Sequence, residues 1–187
     1  MRKRMLVLYL AVLLVGGLSF AQVQQRPLDK GTFNVGGAIS FTSSSGEFYG
    51  DDAISSFSLM PAVRYFVIDG LAVGLDLLLQ TNSAGEYTDT TFGIGPTVAY
   101  MFDVNSPTFY PYVGAGVVYG SNKQSWDRYS TTGLIIKFGG GVVFMLNPNL
   151  AVLAELGYAI ESFKYGEWDA ESGGTFSLSI GLSAFIH

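Results

Sequence analysis

Side chains able to do chemistry are sparse in this chain. Only 13% of its 187 residues are charged, there is no cysteine, and there is a single histidine. Without thiols, a disulfide framework, a zinc-cysteine site and a cysteine nucleophile are all excluded. His187 is the last residue, whereas a Ser-His-acid hydrolase needs its base beside a nucleophile. The glycine-dense stretches "GAGVVYG" and "GGG" neither open a helix nor carry a Gly-Lys-Ser/Thr, so a phosphate loop is not indicated. "GDD" and "GEWDAE" lack the spacing of a calcium loop. No catalytic residue, no cofactor and no metal site is expected. What remains are five ionisable residues embedded in apolar, alternating segments: Arg64, Asp76, Lys137, Glu155 and Glu161.

The segments that must position those five have a period of two. In "FSLSIGLSAFIH", residues 176–187, apolar side chains alternate with serine and glycine, the mark of a strand with two unlike faces. Eight such segments occur, at 32–42, 56–67, 71–81, 90–102, 108–120, 132–146, 150–160 and 175–186. Each approaches or slightly exceeds the roughly 9 to 11 residues of a tilted transmembrane strand. Three connections are short ("IDG", "DVNSP", "NPN") and four are longer and polar, at 43–55, 82–89, 121–130 and 164–174. An even strand count with short turns at one rim and long loops at the other predicts an all-β fold, an eight-stranded antiparallel up-and-down transmembrane β-barrel. Pro61 and Pro96 fall inside strands. A local bulge is expected at each, because proline removes a ladder donor.

The sense of the alternation decides which face meets lipid. One face carries Phe33, Val35, Ile39, Phe57, Leu59, Leu75, Phe92, Ile136, Phe138, Leu156 and their like, without an ionisable acid or base. The other carries glycine, serine and threonine together with the five charges. An eight-stranded barrel is narrow, so the bulky face must point outward and the small one inward. A soluble barrel around an apolar cavity would reverse this. Aromatic residues gather near both strand ends, as interfacial girdles do. On this reading Leu75→Arg is costly, whereas the inward neighbour Gly74→Ser is nearly silent for insertion.

Residues 1–21 combine the cationic "MRKR", an apolar stretch and Ser19-Phe20-Ala21. They read as a cleavable signal peptide rather than a retained helix, since the stretch is short for a span and a small-x-small site follows at once. Residues 22–30 are then a short periplasmic lead and 31–187 the barrel. Of the 10 basic residues, Arg2, Lys3 and Arg4 leave with the leader, so 7 face 15 acids. Binding of nucleic acid through a basic face is not expected.

The export signal, the eight strands, "PYVGAGVVYG" (111–120), "GIGPTVAYMF" (93–102) and the glycine-containing last strand resemble the eight-stranded outer-membrane β-barrel family of the OmpA, OmpX and Ail type. The resemblance covers essentially the whole mature chain and implies the bacterial outer membrane, with both termini periplasmic. Members of that family serve variously as envelope anchors, adhesins or host-factor binders, and less often as narrow solute conduits. Nothing follows the last strand, so the peptidoglycan-binding domain of longer relatives is not expected. The chain also ends in Ile186-His187, where the family usually ends in Phe.

Two groups of residues are candidates for function. In the lumen, the short turns set Arg64 diagonal to Asp76 and Glu161 diagonal to Lys137, within reach of long cations. Two cross-strand ion pairs are expected to plug the lumen, with Glu155 joining them. The alternative is five independently solvated charges. This register takes Gly70 as left-handed and opposes Val67 to Leu71 and Leu146 to Leu150. In the loops, Tyr49, Tyr87, Trp126, Tyr129, Tyr165 and Trp168 form either an interaction surface or part of a hydrated rim. The expectation is a monomeric, non-enzymatic outer-membrane protein with a structural or surface-interaction role. Its partners would be outer-membrane lipid and an extracellular macromolecular ligand at the loops. The alternative is a narrow, porin-like channel.

Overall fold

The computed structural model describes residues 26–44, 54–84, 87–124, 130–164 and 171–187. Its strands are β1 (Phe33–Ser44), β2 (Ile54–Ile68), β3 (Leu71–Ala84), β4 (Tyr87–Met101), β5 (Phe109–Gln124), β6 (Ser130–Asn147), β7 (Leu150–Lys164) and β8 (Glu171–Ile186). Each pairs antiparallel with its sequence neighbour, and β1 pairs with β8 to close the barrel. Closure gives every strand a partner on both sides and removes the sheet edge over the height at which β1 and β8 pair. The strands reach beyond the alternating segments of the sequence, chiefly into the polar stretches on the long-loop side, because the ladder continues once its apolar half is paired.

The alternation sorts the faces as expected over most of the wall. Ile39, Leu75, Phe92, Ile136, Leu156 and Leu178 all point outward and are exposed. Near the short-turn rim the aromatic pairs Phe33–Tyr65, Tyr100–Phe102 and Phe109–Phe144 lie with ring centroids 4.9, 4.9 and 5.2 Å apart. Paired rings at that height form an interfacial band.

The inward face departs from the expectation of small residues throughout. In its lower part, toward the short turns, Phe66, Met101, Tyr110, Val143, Met145, Leu153 and Phe185 form an apolar core. Phe66 and Phe185 are 0% exposed. They fit because Ala72 and Ala151 take neighbouring inward positions, so bulk and its absence alternate around the wall. Leu28, from the polar lead, also belongs to this core. Its turn is held under the barrel by Gly70 N–H donating to the Leu28 carbonyl (2.9 Å), Gly31 N–H to Phe66 (2.9 Å) and Lys30 N–H to Asp69 Oδ1 (2.8 Å). Arg26 Nη1 reaches Asp103 at 2.7 Å on the next turn.

The prolines do not bulge. Leu59↔Leu79 and Ala62↔Asp76 share one register across Pro61, as do Ile94↔Tyr119 and Thr97↔Gly116 across Pro96. On their other sides both prolines pair normally, as Gly37↔Pro61 and Leu75↔Pro96. A proline lacks its donor toward one neighbour only, so the ladder skips a step there without inserting a residue. The register shifts fall instead at the turns, between Phe66 and Ile68 and between Met145 and Asn147. Consequently Ile68, not Val67, opposes Leu71, and Asn147, not Leu146, opposes Leu150. Gly70 is left-handed at φ 79°, and a Cβ there would also meet the Met101 carbonyl at 2.7 Å.

Candidate functional site

Above the apolar core the lumen becomes charged. Arg64 on β2 and Asp76 on β3 stand diagonally, since Arg64 opposes Gly74, and Arg64 Nη2 donates to Asp76 Oδ1 at 3.0 Å. Lys137 on β6 also donates to Asp76, through Oδ2. That bond crosses the lumen, because β3 and β6 are separated by two strands on one side and four on the other. Asp76 is 2% exposed. A carboxylate so far from water requires neutralisation, and here two cations share that task.

Lys137 was expected to pair with Glu161, and it does not. Among the described residues no cation stands within ion-pair distance of Glu155 or Glu161. The Glu155 Oε2 accepts from the Tyr112 hydroxyl at 2.5 Å, which forms a second crossbar from β5 to β7. The Glu161 Oε1 accepts from the Thr175 hydroxyl at 3.3 Å. The physical reason lies in barrel closure. Asp76 offers Lys137 a desolvated site where a charge pair is strong, whereas Glu161 stands higher in the lumen, in more polar surroundings. Tyr112 was missed from sequence, although its parity with Gly114 and Gly116 places it on the small inward face. Asn34, 1% exposed, adjoins a chamber of about 40 Å³ beneath the charges, shared with Ser183 and Glu155. That is room enough for ordered water to serve its amide.

Over the charge layer stands a cup of about 690 Å³, whose lining reaches Asn82, Ser83 and Asp89 on the long-loop side. One polar row of its wall follows the ladder directly, Ser40↔Ser58 and Ser58↔Gln80. Ser177, Thr175, Asn82 and Glu161 continue the polar lining. His187 lies far below, its Nδ1 3.0 Å from the Thr32 hydroxyl. Of the loop aromatics, Tyr49, Trp126, Tyr129, Tyr165 and Trp168 lie outside the described residues, as does the Tyr87 side chain; Tyr87 itself begins β4.

An apolar belt around a closed eight-stranded antiparallel wall, with ion pairs and polar groups within, defines a small transmembrane β-barrel. The chain belongs to the family described as "Outer membrane protein beta-barrel domain", whose sequence model matches residues 10–183. No curated protein matches it by sequence. Among solved structures it is similar to Neisserial surface protein A, with a TM-score of 0.64 at 21% identity over 83% of this chain and 99% of that one. It is similar also to the outer membrane protein OprG of Pseudomonas aeruginosa, with a TM-score of 0.52 at 16% identity, covering 87% and 100%. The outer membrane enzyme PagL gives 0.50 at 13% identity, covering 80% and 97%. At these identities the likeness is one of fold, which hosts surface proteins and an enzyme alike.

Proposed function

We propose that the protein is a closed, monomeric barrel of the bacterial outer membrane with a structural or surface-interaction role. The single observation that carries this reading is the double occlusion of the lumen. The Phe66–Phe185 core blocks the lower part, and the Arg64–Asp76–Lys137 bridge lies across the level above it. A hydrated ion would have to pass an apolar packing layer and then displace a buried ion pair, so the narrow-channel reading is the weaker one. The name of the similar Neisserial surface protein agrees with a surface role. The chain's single histidine is engaged with Thr32 beside the short turns, which speaks against hydrolase chemistry at the cup.

In this reading the leader 1–21 is removed, the short-turn rim and both termini face the periplasm, and the long loops with Tyr49, Tyr87, Trp126, Tyr129, Tyr165 and Trp168 face outward toward a macromolecular partner. Two measurements test it. Purified protein in planar bilayers is expected to give no steady conductance, and protease added to intact cells is expected to cut only in the long loops. Steady conductance overturns the closed barrel. Cleavage at the short turns of intact cells overturns the orientation.

A further inference from the structure

We infer that the cup above the charge layer is a binding site for a small organic dication of the linear aliphatic diamine class. The inference does not depend on which way the barrel faces. It starts from an imbalance among the described residues: Arg64 and Lys137 are both engaged by Asp76, whereas Glu155 and Glu161 have only neutral hydroxyl donors, Tyr112 and Thr175. Walls of low dielectric focus the field of such carboxylates into the space they line.

The two carboxylates approach each other along β7. Glu155 turns upward, its Oε1 lying 3.7 Å from where a Cβ on Gly157 would stand. Glu161 turns downward to Thr175, which opposes Ala159. From the level of Gly157 to that of Ala159 is two residues of strand rise, about 7 Å. A chelated metal ion needs several oxygen ligands at about 2.0 to 2.6 Å, and among the described residues no group of three or more acids or histidines stands together to supply them. An extended four- or five-carbon diamine matches the span between the two levels, one ammonium to each carboxylate. Its remaining N–H donors need acceptors, and its methylenes need apolar wall. Ser40, 8% exposed, lines the cup, and among the described residues its hydroxyl has no partner. Val118 and Ile135 supply aliphatic lining in the same cavity.

The test is calorimetric titration of the full chain, folded in detergent micelles at low ionic strength, with 1,4-diaminobutane, butylamine and 1,4-butanediol. Saturable binding of the diamine is expected, at least ten-fold tighter than butylamine, with none for the diol. Glu161→Gln and Glu155→Gln should each weaken the diamine at least ten-fold and remove its advantage over butylamine, with folding checked by heat-modifiable gel migration. Should Glu155→Gln fail to fold, Glu161→Gln alone decides, since its carboxylate is held by one hydroxyl at the cup wall. Diamine binding that is absent, no tighter than butylamine, or unchanged in folded Glu161→Gln overturns the inference.

Discussion

At the scale of single residues, Asp76 is the centre of the lumen. It accepts from two cations while nearly excluded from water, so the three groups are strongly unequal in what their loss does. Asp76→Ala leaves Arg64 and Lys137 facing each other with no counter-charge, and the expected loss is about 3–5 kcal/mol, typical of a broken buried pair. Lys137→Ala keeps the Arg64–Asp76 bond and is expected to lose only about 1.5–3 kcal/mol, the range for a hydrogen bond to a charged group. Urea midpoints in lipid vesicles measure both, and equal effects would show that Asp76 is not the shared partner. The Arg64–Asp76 diagonal was legible from the sequence because both residues flank one short turn. The Lys137 bond was not, because it depends on how closure sets β6 across from β3, which no local pattern encodes. Gly74 teaches the same lesson. An inward glycine beside a cavity looked replaceable, yet a Cβ there would stand 2.0 Å from the Val63 carbonyl and 2.8 Å from Arg64 Cγ. Gly74→Ser is therefore expected to destabilise by about 1–3 kcal/mol, as overpacking does, and a wild-type midpoint for that variant would contradict the close approach.

At the scale of elements, the strands were readable because lipid on one side and a narrow lumen on the other enforce alternation at almost every residue. The ends were less readable, since above the apolar belt both faces become polar and the pattern fades while the ladder continues. The turn after β2 was readable as to hand, Gly70 being left-handed where Asn149 of the other is not, but neither was readable as to count: the bulges after Phe66 and Met145 let two-residue turns do what a three-residue loop was expected to do. One seam stands apart. The β1–β8 pairing runs from Phe33↔Ile186 only to Ile39↔Ile180, whereas β1 continues against β2 to Ser44↔Ile54 and β8 against β7 to Phe163↔Glu171. Above Ile180, N–H groups of β8 that point toward β1 have no ladder acceptor there among the described residues. Amide exchange measured by NMR is expected to be faster for those groups than for the β8 amides that point toward β7, since protection follows local hydrogen bonding. Uniform protection along both edges would mean that the seam is closed to the rim in solution.

At the scale of the whole molecule, the barrel is built of levels: an apolar core at the short-turn end, a bridged charge layer, and a polar cup. The sequence indicated the charges and the small inward residues but not the apolar level. Phe66, Val143 and Phe185 share parity with inward positions, yet their size suggested that a narrow lumen would reject them. The alanines beside them remove that objection, and such compensation between strands is invisible one strand at a time. The consequence for permeation differs from what a charge plug alone would imply. Two occlusions in series conduct no better than the tighter of them. Lys137→Ala removes one crossbar, but the Phe66–Phe185 contact, with centroids 6.4 Å apart, still seals the lumen below. That variant is expected to be less stable and still silent in planar bilayers. Phe66→Ala together with Phe185→Ala opens the lower level, at a cost of about 3–5 kcal/mol for each buried ring, and leaves the Asp76 bridge intact, so this variant too is expected to be silent. Only the combination with Lys137→Ala and Tyr112→Phe removes the apolar level and both crossbars above it, and only there should conductance appear, provided heat-modifiable migration shows the barrel folded. Conductance in folded Lys137→Ala alone would show that water already passes the apolar level, and the lower core would then be no seal.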